Sequence, residues 1–264
     1  MVKPLSTKNY QISKAEVFFQ PEGGEEVFQL GDSNTVSLEF DVSEIERITR
    51  EKGLGLKVLE EVTSIDASLS LELAQLTDVN RALHLMGEEV KLNQSAVTGE
   101  TVSFTQFRAN TLRELGFLNI DPNSVSVVDS SDATITYQNG TNYEVDYQAG
   151  KIKLLSHPSG ASEDVEVTFD TLQISDRPKI GIANISGTTG KLTVRGNSQV
   201  GLKTMLVLPR VQLRPDGERS FVAEDEFTTI SLTGTVLVDS SVPDEKFQLG
   251  YEVDLEDAPE TRLR

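Results

Sequence analysis

The sequence predicts a mainly β protein, a β-sandwich or barrel-like fold with one short flanking α-helix and a small inserted β-module. Three observations support this prediction: apolar and polar residues alternate at 34–42 and 64–73, one amphipathic helix pattern occurs at 77–87, and the pattern changes between 98 and 172 to short strands separated by turn signals. Alternation with a period of two is typical of a strand that has one buried and one solvated face. A chain of 264 residues is long enough for one large β domain or two smaller ones.

The two alternating segments combine an apolar face with a polar face. The apolar residues predicted to face the core are Val36, Leu38, Phe40, Val42, Ile65, Ala67, Leu69, Leu71 and Leu73. Small or acidic residues lie between them, and the acidic ones are Glu39, Asp41, Asp66 and Glu72. We therefore expect two long strands whose exposed faces carry negative charge among serine and threonine side chains.

The segment 43–61 between these strands contains nine charged residues of both signs, two glycines and no sustained alternation. Ser43 and Glu46 match a capping box that would begin one or two helical turns. We interpret the segment as an exposed arm that contacts a neighbouring molecule; an irregular surface loop is the alternative. The residues expected to make this contact are Glu46, Arg47, Ile48, Arg50, Lys52, Leu54, Leu56 and Lys57.

One helix is predicted over 77–87. Thr77 or Asp78 is suited to cap its start, and Gly87 is suited to end it. Its apolar stripe, spaced i, i+3, i+4 and i+7, consists of Val79, Ala82, Leu83 and Met86. Because a helix this short needs tertiary contacts to persist, we expect the stripe to cover the open side of the sheet.

The change in pattern predicts three segments: a β-core that begins in 1–97, an inserted module at 98–172, and the remainder of the β-core in 173–264. Short strands are expected in the module at 125–128, 133–137, 143–147, 151–155 and 165–169, with a tight turn at Gly150. Longer strands are expected after Arg177–Pro178, at 179–185, 191–195, 203–213, 226–238 and 247–254.

Residues for catalysis or cofactor binding are sparse. The chain has no cysteine, which excludes disulfides and thiolate sites, and it has only two histidines. We expect His84 to be structural, and His157 has no second histidine nearby to form a metal pair. The stretch 187–192 fails as a phosphate-binding loop, and the acidic turns around Asp121 and Asp129–Asp132 lack the glycine and distal glutamate of an EF-hand loop. The sequence therefore predicts a protein that is not an enzyme and holds no metal or cofactor.

The charge balance disfavours a binder of nucleic acid. There are 42 acidic and 24 basic residues, a formal net charge of −18, whereas phosphate binding needs lysine and arginine. Two interpretations stay open: the charge provides solubility, or it makes a surface that nucleic acid passes without sticking. The N-terminal residues match no secretory signal, and no apolar run is long enough to cross a membrane, so synthesis in a cytoplasm without a membrane anchor is expected.

Four segments, covering a little over a third of the chain, resemble phage major tail (tail-tube) proteins and occur in the same order. They are LGDSNTVSLEFDVSEIERIT at 30–49, SIDASLSLELAQLTDVNRALHLMGE at 64–88, GTNYEVDYQAGKIKLL at 140–155 and LPRVQLRPDGERSFVAEDEFTTISLTGTVLVD at 208–239. The last is the most specific, because it combines the pattern Leu-Pro-x-Val-x-Leu-x-Pro-x-Gly with the strand that follows. The first 25 residues and the segment 98–130 match no part of that family's pattern.

This resemblance implies a structural protein of the virion tail, synthesised in the bacterial host cytoplasm. Six copies would close into a ring whose inner wall is a continuous β-barrel, and rings would stack through the 43–61 arm into a tube for DNA ejection. The tape measure and terminator proteins of the tail would be its other partners. Glu39, Asp41, Asp66 and Glu72 would line the lumen if their faces point inward, where they would offer DNA no cation.

Two alternatives to the tail tube remain open. The inner tube of a phage-derived contractile machine would share the fold. A carbohydrate-binding β-sandwich would need exposed aromatic residues, but the chain has no tryptophan and five tyrosines.

Overall fold

The computed structural model describes residues 14–50, 53, 55–196, 203–222 and 227–255, and their fold is mainly β with one α-helix, as predicted. The strands are β1 Ala15–Pro21, β2 Phe28–Gln29, β3 Ser33–Thr49, β4 Leu56–Leu73, β5 Glu89–Gln94, β6 Val97–Phe104, β7 Thr111–Glu114, β8 Ser126–Asp129, β9 Tyr143–Asp146, β10 Lys151–Leu154, β11 Val165–Thr171, β12 Ile174–Ile180, β13 Thr188–Gly196, β14 Thr204–Pro215, β15 Ile230–Val236 and β16 Tyr251–Asp254. The α-helix, α1, is Asp78–Leu85, and a 3-10 helix spans Glu245–Phe247. No helix in the described part of the chain is both long and apolar enough to cross a membrane.

The chain forms two compact units. Unit 1 contains the described residues within 1–90 and 180–264, and unit 2 contains 91–179. Unit 2 thus extends beyond both ends of the predicted module, 98–172. The reason is that β5 and β12, which precede and follow the predicted module, pair with each other in a two-stranded sheet.

Unit 1 is built on one antiparallel sheet in the order β2-β1-β13-β14-β15-β4-β3, with β16 paired to the start of β14. The first and last long strands, β1 and β3, contact each other, so the sheet curves around its core. The core side chains alternate along the strands, as predicted for residues 67–73 of β4; they include Val17, Phe19, Leu69, Leu71, Leu73, Leu192, Val211, Leu213, Ile230 and Leu232.

Helix α1 packs against β14 and β15. The Thr77 side chain caps its start by accepting a hydrogen bond from the backbone N–H of Asn80 at 3.2 Å. Leu83 is 6% exposed and belongs to the core, and Val79 packs beside it, whereas Ala82 and Met86 are only half-buried. Of the four residues in the predicted stripe, only Leu83 and Val79 therefore pack against the core.

The end of α1 differs from the prediction. The helix ends at Leu85, and Met86 is the C-cap in the left-handed conformation with φ of 49°. Gly87 does not end the helix, but it is buried, and a Cβ at this position would lie 1.9 Å from the carbonyl oxygen of Gly181. Gly87 is therefore required for close backbone approach.

Asn80 is the buried polar residue of the helix. Its Nδ2 donates to the carbonyl oxygens of Leu30 and Gln75, both at 2.8 Å, and its side chain is fully buried. These bonds tie the helix to the segments before β3 and after β4.

Unit 2 contains two three-stranded sheets, β7-β10-β9 and β6-β11-β8, around a second core. The largest side chains in this core include Phe107, Phe169, Ile152, Leu154 and Tyr143. The predicted strands near β8, β9, β10 and β11 are present, and Gly150 makes the turn between β9 and β10 with φ of +63°. The prediction at 133–137 was wrong: only an isolated bridge between Val128 and Thr136 forms there.

Other strand predictions were misplaced. The strand predicted at 179–185 was wrong because β12 ends at Ile180, and Ala183 in the following turn has φ of 52°. Residues 245–247 form the 3-10 helix, so the last strand begins at Tyr251 rather than at 247.

Candidate functional site

The hairpin of β3 and β4 extends beyond the sheet of unit 1. Strand β4 pairs with β15 only from Ser68 to Leu73, but its pairing with β3 continues to Thr49 and Leu56. Residues 40–66 therefore form a two-stranded ribbon, which we call the arm. Its strands span roughly 30 Å. Every residue described at 39–48 and 57–66 is exposed.

The arm corrects the prediction for residues 43–61. An exposed projection was expected, but the capping box and helical turns were wrong, because Ser43 pairs with Ser64 in a continuous antiparallel ladder. Two register shifts, after Ser43 and after Arg47, interrupt the alternation along β4. Since both faces of the ribbon are exposed, burial also imposes no apolar pattern on this part of the sequence.

Large apolar side chains on the arm are exposed by 44 to 65%. They are Phe40, Val42, Ile45, Ile48, Val58, Leu59, Val62 and Ile65. By strand register, Phe40, Val42 and Ile65 lie on the face that continues from the buried Leu69. The apolar surface of the core thus extends onto the arm, where no described residue covers it. The prediction that Phe40, Val42 and Ile65 face the core was therefore wrong, because the arm extends beyond the sheet.

An ion cluster lies nearer the tip of the arm. The Lys57 ammonium lies 2.5 Å from a carboxylate oxygen of Glu46 and of Glu60. These hydrogen bonds raise the pKa of Lys57 to about 12, and the bond from Lys57 lowers the pKa of Glu60. A hydrogen bond with Glu60, together with repulsion from it, raises the pKa of Glu44. Exposed pairs of this kind contribute little to stability, so the cluster does not explain why the arm is ordered.

The predicted contact residues of the arm have different positions. Glu46 and Lys57 belong to the ion cluster, and Ile48 lies opposite Lys57 on the same face. Arg47 lies opposite Leu59 on the other face, and Arg50 is exposed after β3. Lys52, Leu54 and the side chain of Leu56 lie outside the described residues. Contact between these residues and a neighbouring molecule stays a prediction.

The four predicted lumen residues share one face of the sheet, the face directed away from the core. Asp41 lies directly opposite Asp66, Glu39 opposite Ser68, and Glu72 beside Thr35. We call this surface the polar face. Small polar side chains continue it across β3, β4 and β15, namely Ser37, Ser68, Ser70, Ser231, Thr233 and Thr235.

The polar face also carries cations. Lys191 and Arg195 alternate with buried or core-packed residues on β13, and Arg214 lies opposite Thr233 on the exposed side of β14. The expectation of no cation concerned only the exposed faces of the two long strands, and these cations lie on other strands of the sheet. These residues are far from the acidic strands in sequence, so only the strand order places both groups on one face.

The acidic turns of unit 2 are structural. The Asp129 side chain is 2% exposed and accepts hydrogen bonds from the backbone N–H groups of Ser131 and Asp132 at 2.8 and 2.9 Å. It also accepts from the hydroxyl of Ser162 at 2.8 Å and from that residue's backbone N–H. These bonds, above all those from Ser162, hold the pKa of Asp129 below its usual value. Both carboxylate oxygens thus serve protein donors and fix the turn.

Asp129→Asn should destabilise unit 2 in a pH-dependent way. Because the pKa of Asp129 is lower in the folded state, its stabilising contribution is complete above the unfolded value of about 3.9 and is lost as pH falls through the folded value. Melting curves of the full chain between pH 7 and pH 2 should therefore show a gap between wild type and variant that narrows in acid. Glu144→Gln, an exposed change in the same unit, is the control. A gap independent of pH would contradict this role.

The two histidines belong to different units: His84 lies in unit 1 and His157 in unit 2. Burial lowers the pKa of His84 in α1, an effect opposed by a hydrogen bond with the backbone of Ser231. The Nδ1 of His157 lies 2.9 Å from the hydroxyl of Tyr137, whose pKa is raised by burial.

Comparison with protein-family models gives a match over most of the chain. The family described as "Protein of unknown function UCP028589" matches residues 14–248. No curated protein matches the sequence significantly. Since the family model spans most of the chain, the chain belongs to this family, whose description states no activity.

Proposed function

We propose that this family member is a structural protein that assembles into stacked rings, forming a phage tail tube through which DNA is ejected. The observation that carries the proposal is the arm, a ribbon whose apolar side chains are exposed along its length. An isolated two-stranded ribbon is at best marginally stable in water. The arm therefore suits a protein whose functional form is an assembly.

The energetics of the arm favour a partner. Burying a large apolar side chain completely stabilises by about 1.5–3 kcal/mol. The eight apolar residues of the arm are about half exposed, so completing their burial would contribute roughly 1 kcal/mol each. Their sum is comparable with the estimated cost of association, about 4–15 kcal/mol. One arm bound by a second copy can therefore offset much of that cost.

The unpaired strand edges support self-association over a different partner. Along the arm, β3 and β4 pair only with each other, so both outer edges are free among the described residues. Such edges are templates for strand addition. A closed ring of identical copies would pair these edges without leaving a terminal one.

The part of the polar face formed by β3, β4 and β15 is suited to a passage for DNA. It presents serine and threonine side chains, and its acidic edge presents Glu39, Asp41 and Asp66. Carboxylates near a duplex repel phosphate, while hydroxyl side chains carry no cation to retain it. An inner tube of a contractile machine would use the same geometry, and the cargo found inside purified tubes separates the two functions.

Assembly of the purified full chain tests the proposal. We expect light scattering to show a rise in mass with concentration, and negative-stain microscopy to show rings or tubes, without added metal or nucleotide. Phe40→Ser combined with Ile65→Ser should suppress assembly. Leu112→Ser is the matched control, because Leu112 in unit 2 is exposed by 54%, the same fraction as Ile65. A monomer at every concentration, even with tail extract added, would overturn the proposal.

A further inference from the structure

We infer that neighbouring copies contact each other head to tail, with an acidic band of one copy against a basic band of the next. The acidic band is Glu39, Asp41 and Asp66, and the basic band is Lys191, Arg195 and Arg214. Both lie on the polar face, the acidic band at the β3–β4 edge of the sheet and the basic band on β13 and β14 in its middle. The inference rests on the proposed self-assembly and identifies the surfaces that meet within a ring.

Among the residues that the structure describes, no cation compensates the charge of the acidic band. Asp41 and Asp66 lie directly opposite each other, and Glu39 follows on the same face of β3. Like charges directly opposite on neighbouring strands are destabilising. Among the described residues, no lysine or arginine lies within ion-pair distance of any of the three. A cation from outside the copy would relieve this repulsion.

In the described part of the chain, the basic band likewise has no carboxylate partner. Neither Lys191 nor Arg195 forms an ion pair with a described carboxylate, although Glu16 is the cross-strand neighbour of Arg195. Arg214 donates a hydrogen bond to the neutral Gln212 at 2.8 Å. The band thus presents three cations on strands that also supply the core of unit 1.

The two bands are too far apart to neutralise each other within one copy. Strand β15 lies between Arg214 on β14 and the acidic strand β4, and Lys191 on β13 lies one strand further away. With neighbouring strands about 4.8 Å apart, the separation is roughly 10–20 Å, and the intervening rows carry Thr233, Thr235 and Ser68. This exceeds the Debye length of about 8 Å at physiological salt. Direct contact between copies brings opposite charges within range.

The position of the bands sets the geometry of the contact. When the β3–β4 edge of each copy lies over β13 and β14 of the next copy in the same orientation, every contact joins acid to base. Such a head-to-tail contact repeats around a ring. Face-to-face pairing of two copies would instead give a closed dimer.

Reciprocal charge reversal tests the contact. One variant carries Glu39→Lys, Asp41→Lys and Asp66→Lys; the other carries Lys191→Glu, Arg195→Glu and Arg214→Glu. Each variant alone should need roughly 100-fold more protein for half-maximal assembly, because like charges then meet at every contact. An equimolar mixture, and a chain carrying all six changes, should assemble at concentrations near that of wild type.

The control variant reverses three exposed acids outside the bands, Glu144, Glu163 and Glu218, and has the same net charge as the acidic-band variant. It should assemble like wild type. Circular dichroism melts establish that each variant folds, and Glu39→Gln, Asp41→Asn and Asp66→Asn replace the reversal if it does not fold. These milder changes should still raise the assembly concentration about tenfold.

Three results would overturn the contact. One is normal assembly by the acidic-band variant, with only DNA passage slowed, which would leave the polar face in the lumen but away from the interface. The second is failure of both the mixture and the six-change chain while each folds. The third is a mixture that stops at dimers, which would indicate face-to-face pairing. If wild type itself does not assemble, the proposed function is contradicted. If wild type assembles and one of these three results is found, only the proposed contact is contradicted.

Discussion

Replacing residues 44–63 with Asn-Gly should abolish assembly while leaving the fold of unit 1 intact. The replacement joins Ser43 to Ser64, which lie directly opposite each other, and Asn-Gly is a favoured two-residue hairpin turn. It removes five of the eight exposed apolar side chains of the arm. Light scattering and microscopy should detect no rings at concentrations where wild type assembles. Because the removed residues described by the structure are exposed apart from the half-buried Thr49, the change in unfolding free energy should stay within about 0.5 kcal/mol.

A smaller replacement tests whether the tip of the arm or the apolar side chains on its faces make the contact. Substituting residues 50–55 with Asn-Gly retains Phe40, Val42 and Ile65, together with the ion cluster around Lys57. If the apolar faces carry the contact, this variant should still assemble, although less tightly. Tubes of normal length from the 44–63 replacement would refute a contact role for the arm.

Leu83→Asp should unfold or severely destabilise unit 1. Leu83 is 6% exposed and faces the sheet core from α1, so the substitution removes apolar contacts and buries a carboxylate without a partner. The expected loss is on the order of 4 kcal/mol, a large part of the stability of a typical domain. Chemical denaturation of the full chain, followed by circular dichroism, measures this loss.

Leu76→Asp provides the matched control for this effect. Leu76 precedes the helix and is exposed by 42%, so the same chemical change there should cost less than about 1 kcal/mol. If Leu83→Asp melts within a few degrees of wild type, the side of α1 that packs on β14 and β15 has been assigned incorrectly.

Features that depend on neighbouring residues in the chain could be predicted from the sequence. Alternation at 64–73 predicted the buried Leu69, Leu71 and Leu73, because successive side chains of a strand point to opposite faces. The Thr77 cap and the Gly150 turn followed from local side-chain and backbone preferences. The shared face of Asp41 and Asp66 also follows from alternation once their strands pair.

Tertiary contacts decided the remaining features. The arm is a strand pair because distant residues form a ladder, whose register shifts and exposure on both faces remove the periodic signal from 43–61. Arg214 joins the face of Asp41 only through the order β14-β15-β4-β3. Asn80 can be buried because the carbonyl oxygen of Leu30, fifty positions away in the sequence, accepts a hydrogen bond from its side chain. Local pattern predicts which face of an element is apolar, whereas pairing between segments distant in sequence decides what meets that face and what remains exposed.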